Sequence, residues 1–323
     1  MANNLIKFCT AALAGTLIGI AYERLPPSTE WLKTVSATSS LVPKKPPNND
    51  AANRFDVTEI NPKTSGENLK HSAKYGLPSK DNIRVFNDFI LSYDRRLRQP
   101  LWVIEHLTPE KLRYHEDSEV DRDRSHFRED LTLHEYFRAK NADYSGSGYD
   151  RGHMAPAGNH KQDQEDLNQT FILSNISPQH PKFNRGGWER LETYVRWRAK
   201  RAKNLYVVTG TLYLPIKARD GNLYVTYRVI GNNHVSVPTH YFKVFVVETK
   251  DDNLELEAFL MPNDPQLDGN IKLDDYRLPI ERLDVIERSS GVILFDQLPR
   301  NKLKAPRALP EGFKDKPRGR QDG

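Results

Sequence analysis

The chain has 323 residues, of which 37% are hydrophobic, 10% aromatic and 28% charged, so it is long enough for one large domain or two and carries enough apolar residues for a core. Its single cysteine, Cys9, excludes an internal disulfide scaffold, and at most one segment approaches the length of a membrane span, which excludes a polytopic membrane protein. The formal net charge is +5, and residues 299–323 hold eight basic and three acidic residues, so the tail accounts for the whole excess.

The N-terminal region predicts a targeting segment followed by a linker. Residues 8–22 form an uncharged run of fifteen residues, short of the roughly 20 that cross a bilayer. Residues 1–25 therefore read as a mitochondrial leader or membrane anchor, with a secretory signal as the alternative. Residues 26–70 are rich in proline and serine, as in linkers. We expect a folded domain over 71–298 and a basic tail over 299–323 that is unstructured and dispensable for catalysis.

The folded region alternates strand-like runs with few helices. Residues 83–93 and 101–106 predict a hairpin, because a polar, charged segment separates two apolar runs. Helix-spaced apolar residues predict a helix over 188–203, and a first-turn proline predicts another over 279–288. The remaining predicted strands are 171–176, 205–214, 223–230, 240–248, 256–261 and 291–295. The pattern favours an α+β fold with a mostly antiparallel central sheet flanked by helices.

Polar residues that suit phosphodiester chemistry concentrate in the middle of the chain. His153 has a side chain that accepts a proton near neutral pH, and Arg151 offers donors that fit phosphate oxygens. Asn184 supplies a neutral oxygen of the kind that binds Mg²⁺, and Glu192, eight residues later, could orient water. Together with Asn175 these residues predict metal-assisted attack of water on a phosphodiester.

The segment that carries Asn184 and Glu192 is strongly basic. Residues 182–203 include eight basic and two acidic residues. Clustered lysine and arginine bind the phosphates of nucleic acids. We expect this segment to form the docking face for a polyanionic backbone.

Several motifs, in order, carry a resemblance to a known family. Residues 150–158, 171–179 and 184–192 resemble the active-site segments of the DNA/RNA non-specific endonucleases, which have a ββα-metal finger. Shorter matches continue the likeness over about 71–298. The resemblance implies that His153 is the general base, that Asn184 is the sole direct protein ligand of one Mg²⁺ (Mn²⁺ as an alternative), and that Glu192 holds water of that ion.

The same resemblance implies roles for three more residues. Asn175 and Arg151 would bind or orient near the scissile phosphate. A further arginine would stabilise charge in the transition state, and Arg122 is favoured over Arg124. The expected products carry 5′-phosphate and 3′-hydroxyl ends.

Alternatives remain at the level of activity. Residues 154–158 look more like the exonuclease branch of the family, whose members carry an additional C-terminal domain, whereas only a basic tail follows Leu298. We therefore expect a Mg²⁺-dependent, sugar-non-specific endonuclease, with a 5′-exonuclease or a non-catalytic nucleic-acid-binding protein as alternatives. DNA and RNA are the expected partners, and the resemblance implies a homodimer.

The resemblance also implies a location and a process. The expected location is the mitochondrial intermembrane space or inner membrane, with membrane association through residues 8–22 and relocation to the nucleus. Fragmentation of nuclear DNA during cell death is the associated process. Secretion is the alternative.

Overall fold

A computed structural model describes residues 70–113, 120–267, 271–306, 308–310 and 313. The predicted targeting segment and nearly all of the predicted linker lie outside these residues, as does Cys9. Among the described residues, no helix combines the length and hydropathy that a membrane span requires.

A central sheet of eight strands organises the described chain. The strands are β1 (Ile83–Val85), β2 (Phe89–Asp94), β3 (Gln99–Leu107), β6 (Asn204–Leu212), β11 (His240–Glu248), β12 (Leu254–Pro262), β13 (Arg277–Leu278) and β14 (Leu303–Lys304). Their order in the sheet is β1-β2-β3-β6-β11-β12-β13, and β14 pairs with β12. The β12–β14 pairing is parallel and the other pairings are antiparallel.

Both faces of this sheet are buried, because successive side chains of a strand point to opposite faces. In β11, Tyr241 and Phe245 belong to the core on one face, and Phe242 and Val244 belong to the core on the other. This explains why the central strands are nearly continuous apolar runs. The predicted α+β class with a mostly antiparallel sheet is confirmed.

Helices cover the two faces of the sheet. The described helices are α1 (Asn141–Tyr144), α2 (Gln164–Thr170), α3 (Pro181–Phe183), α4 (Glu189–Ala199) and α5 (Leu283–Ser290). Leu191 and Val195 of α4 pack in one core, whereas Leu283 and Ile286 of α5 pack in the other. The predicted apolar stripe of the first helix is therefore its buried face, as expected of an amphipathic helix.

Smaller strand pairs lie beside the sheet. The pairs are β4 (Asp150–His153) with β5 (Ile176–Gln179), β7 (Ile216–Lys217) with β8 (Leu223–Tyr224), and β9 (Val229–Ile230) with β10 (Val235–Ser236). The predicted strand over 223–230 is thus split between two hairpins.

Two predicted strands are wrong. Residues 171–176 contain a 3₁₀ turn over Leu173–Asn175 before β5 begins at Ile176. Residues 291–295 follow the end of α5 without forming a strand, although Leu294 and Phe295 are fully buried in the core. The predicted strand over 83–93 is also interrupted, since β1 folds back on β2.

The described part of the tail packs on the domain. Leu303 pairs with Leu254 of β12, and the Phe313 ring lies 4.9 Å from that of Tyr194 and 5.6 Å from that of Trp197. The described tail residues therefore contact the folded domain, and the domain bounds of 71–298 stay a prediction. Residues 307, 311–312 and 314–323 lie outside the description.

Candidate active site

Two short strands and a helical segment bring the predicted site residues into one unit. Strand β4 pairs with β5, with Asp150 opposite Gln179 and His153 opposite Ile176. The chain then continues from β5 into a helical segment, in which Asn184 directly follows α3 and Glu192 lies in α4. The arrangement is the predicted ββα finger. Gly152 permits it, because a Cβ atom there would lie 2.2 Å from the Gln179 side chain.

His153 lies between two aromatic rings. Its imidazole centroid is 5.3 Å from that of Phe127 and 4.7 Å from that of Phe171. The Nε2 atom is buried and has no hydrogen-bond partner among the described residues. Burial, together with the positive charge of Arg122 and nearby His160, lowers the pKa of His153 to about 3. The imidazole is therefore neutral near pH 7 and has a free nitrogen that can accept a proton.

Two arginines lie on the same aromatic rings. The guanidinium carbon of Arg151 is 4.4 Å from the Phe127 centroid, and that of Arg122 is 5.6 Å from the Phe171 centroid. Both arginines are exposed at their outer ends, so two cationic donors flank the imidazole where an anion can approach. Arg124 instead pairs with Asp121 at 3.8 Å.

Asn184 is held by an aspartate of the β4 strand. Its Nδ2 donates to Asp150 Oδ2 over 2.9 Å, and Arg185 binds both oxygens of the same carboxylate. No described group donates a hydrogen bond to Asn184 Oδ1. The amide oxygen is thus oriented and unused, which suits a hard cation that prefers neutral and anionic oxygens and keeps its waters.

The donor set limits which metal site is compatible with the chain. Within the ranges that the structure describes, no group of three His, Cys, Asp or Glu side chains could hold an ion. A site built on one amide oxygen and water is compatible with the residues that are present. Asp150 is the first residue of the motif over 150–158, but the sequence does not show that its carboxylate orients the Asn184 amide.

Asn175 faces the interior. Its amide accepts a hydrogen bond from the Ala155 N–H over 2.9 Å and donates to the carbonyls of Ala155 and Thr170, and its own carbonyl accepts from the Met154 N–H. The residue is fully buried. Its side chain therefore fixes the backbone that follows His153, and both ends of its amide are hydrogen-bonded to backbone groups.

Glu192 belongs to a chain of buried polar contacts beneath the site. Its carboxylate lies 4.0 Å from Arg196 Nη1, and the same nitrogen donates to Asn159 Oδ1 over 3.2 Å. Asn159 in turn donates to Glu105 of β3 over 2.8 Å. Burial raises the pKa of Glu192 to about 6, although Lys243 and Arg196 oppose this rise. The i,i+4 spacing of Glu192 and Arg196 on one helix accounts for their proximity, whereas no local pattern of the sequence identifies Asn159 or Glu105 as partners.

The basic segment 182–203 does not form one free cationic face. Arg185 pairs with Asp150, Arg198 pairs with Glu257 at 3.1 Å, and Lys203 pairs with Asp252 at 2.9 Å. A helical run distributes successive side chains around its axis, so a basic stretch of sequence need not be a basic surface. Arg122 and Arg151, which are exposed beside His153, are cations placed to meet a phosphate there.

Comparisons with known proteins agree with this geometry. Residues 68–301 match the family of DNA/RNA non-specific endonucleases. The chain is 47% identical over 221 residues to human mitochondrial endonuclease G, covering 68% of this chain and 72% of the relative. It is 43% identical over 245 residues to mitochondrial endonuclease G of Caenorhabditis elegans, covering 76% of each.

A crystal structure of EndoG in complex with EndoGI, which concerns the mechanism of EndoG inhibition, is similar to this chain. It superposes with a TM-score of 0.70 at 46% sequence identity. It covers 74% of this chain and 95% of that chain. Both relatives are named as mitochondrial, and the expected mitochondrial location is confirmed. Because the match spans most of the described residues and includes the ββα unit, the chain belongs to the DNA/RNA non-specific endonuclease family and is a metal-dependent nuclease that hydrolyses nucleic acids.

Proposed function

We propose that the chain is a Mg²⁺-dependent, sugar-non-specific endonuclease that leaves 5′-phosphate and 3′-hydroxyl ends. The observation that carries the proposal is the position of His153. Its Nε2 is buried and has no hydrogen-bond partner among the described residues. The imidazole lies between two phenylalanine rings, and an arginine side chain lies over each of these rings. The unprotonated nitrogen of this imidazole can accept a proton from water. Contacts to phosphate rather than to base edges account for weak sequence preference.

Each site residue has a role in the proposed reaction. His153 Nε2 accepts a proton from a water molecule, whose oxygen forms a bond to phosphorus as the bond from phosphorus to the 3′-oxygen breaks. The 3′-oxygen leaves with a proton from solvent. Arg122 and Arg151 stabilise the negative charge that develops on the phosphate oxygens, as preorganised donors do in phosphoryl transfer.

Asn184 would hold the cation through Oδ1, and Glu192 would accept hydrogen bonds from water of its hydration shell. The cation supplies Lewis-acid stabilisation of phosphate charge when it is bound. Asp150 orients Asn184, and Asn175 fixes the backbone after His153. Asn175 therefore enters the proposal as a positioning residue, in place of a direct contact with phosphate.

The test uses purified full chain and supercoiled plasmid, with Mg²⁺, with Mn²⁺ and with EDTA. We expect nicking with Mg²⁺ and none with EDTA. His153→Ala should lower the rate by about 10²–10⁴-fold, the usual contribution of a general base, and Asn184→Ala should remove stimulation by Mg²⁺. His134→Ala, at an exposed histidine, is the matched control and should cut normally. A His153→Ala protein that nicks at the wild-type rate would show that the base is misassigned.

Closed circles also separate the alternatives. An endonuclease opens them, an exonuclease acts only after a nick, and a non-catalytic binding protein leaves them intact. We further propose a homodimer located in the intermembrane space or on the inner membrane. Sedimentation at two protein concentrations should give the mass of two chains, and a constant single-chain mass would contradict the dimer.

A further inference from the structure

A cavity of about 440 Å³ opens beside the proposed active site. Its lining includes Asn141, Ala142 and Ser145 and the segment 149–151, of which residues 150–151 begin β4. Its size falls within the range of small-molecule sites in proteins, which is roughly 300–1,000 Å³. The reaction proposed above uses Arg151 and Asp150 from this lining and does not use its other residues.

The lining of the cavity combines an aromatic ring, Tyr149, with one arginine, Arg151. The guanidinium carbon of Arg228 lies 5.4 Å from the centroid of Tyr149, and Arg151 is fixed by a 2.8 Å hydrogen bond to Asn141 Oδ1. The one carboxylate in the lining, Asp150, is already bound by Asn184 and Arg185. An aromatic face beside cationic, polar groups suits a planar base attached to a phosphate.

Arg151 connects the cavity to the reacting phosphate. It borders the cavity and also lies over the Phe127 ring that contacts His153. A nucleotide in the cavity would therefore be a direct neighbour of the phosphate at His153. Because a base must leave its helical stack to lie on a protein aromatic ring, such a site takes bases from single-stranded or unpaired segments.

We propose that this cavity is a subsite for the base of a nucleotide flanking the cleaved phosphate, with Tyr149 as its stacking platform and Arg228 holding that ring. The site adds affinity for unpaired nucleic acid without reading sequence, since every base has a face that can stack. The subsite rests on the proposed function only because that function places the cleaved phosphate beside the cavity. Its test measures binding and does not depend on cleavage.

The experiment compares ligands with and without bases. The full-length wild type, Tyr149→Ala and Tyr149→Phe are titrated in EDTA with a fluorescent single-stranded DNA, an equally long abasic strand, and a duplex. Tyr149→Ala should weaken binding of the base-containing strand about 5- to 150-fold, which corresponds to a stacking free energy of about 1–3 kcal/mol. Binding of the abasic strand and the duplex should stay unchanged, and Tyr149→Phe should behave as wild type.

A second variant guards against misfolding of the first. Ser145→Trp places a bulky ring at an exposed residue of the cavity lining, leaves Tyr149 in place, and should cause the same selective loss. Equal weakening of all three ligands, or no weakening by either variant, would overturn the subsite. Because binding in EDTA needs no cleavage, failure of the proposed nuclease activity would be seen separately, as wild-type protein that binds DNA but does not nick plasmid with Mg²⁺.

Discussion

His160 is a buried imidazole between two carboxylates, and its protonation should contribute measurably to stability. Its Nε2 lies 3.0 Å from Glu105 Oε1 and its Nδ1 lies 3.8 Å from Asp88 Oδ2, while the side chain is only 2% exposed. Burial alone would lower its pKa, but the two carboxylates raise the pKa of His160 to about 9. Lys111, which pairs with Asp88, and Asp166 are the other charged groups nearby.

The size of the effect follows from linkage. An unfolded histidine loses its proton near pH 6.5, whereas the folded one keeps it until about pH 9. At about 1.4 kcal/mol per pH unit, the bound proton contributes about 3 kcal/mol to the free energy of unfolding. Because the folded pKa is the higher one, this contribution is complete below pH 6.5 and is lost as pH rises through 9.

The test is urea unfolding of wild type and His160→Gln at pH 6 and pH 9.5. We expect the variant to be less stable at pH 6, with a deficit that shrinks by about 3 kcal/mol at pH 9.5. Comparing the two proteins at each pH cancels the titration of the other groups they share. His134→Gln, at an exposed histidine, should show no such change. A deficit for His160→Gln that is the same at both pH values would refute the assignment of a buried imidazolium.

Three further substitutions test the packing around the site. Asp150→Ala leaves the Asn184 amide without its 2.9 Å partner, and we expect half-maximal activity to require about 10- to 100-fold more Mg²⁺, measured by titrating the metal. Gly152→Ala places a Cβ 2.2 Å from the buried Gln179 side chain and should cost about 1–3 kcal/mol in urea unfolding. Phe313→Ala removes two aromatic contacts with α4; we expect a loss of about 1–2 kcal/mol, and an unchanged stability would mean that the tail does not hold this helix.

The main strands were predictable because their pattern is repeated and strong. Strands β6, β11 and β12 are long apolar runs, and a sheet buried on both faces requires such runs. Residues 171–176 and 291–295 are also rich in apolar side chains, but they form turns and loops in which Leu294 and Phe295 are buried and Ile293 is exposed. Short apolar runs do not distinguish a strand from a buried irregular segment, so periodicity could not separate the two cases.

Residue types near the site were predictable, whereas their orientations were not. The resemblance to the family implied that His153 and Asn184 belong to one ββα unit, and the pairing of β4 with β5 agrees with this. The sequence could not show that Asn175 turns inward to the backbone of Ala155. It favoured Arg122 over Arg124, but it could not show that the Arg122 guanidinium lies near the Phe171 ring.

The protonation of the site depends on contacts that no local motif contains. Glu105 lies more than fifty residues before Asn159 and His160, yet it binds both, and Asn159 binds Arg196 beside Glu192. His160 also acts on the charge state of His153. Burial and the charges of Arg122 and His160 lower the pKa of His153, and burial raises the pKa of Glu192, so both protonation states depend on parts of the fold outside the ββα unit. Conserving the ββα motif alone in another scaffold would keep the residues but not the electrostatic surroundings that make them useful.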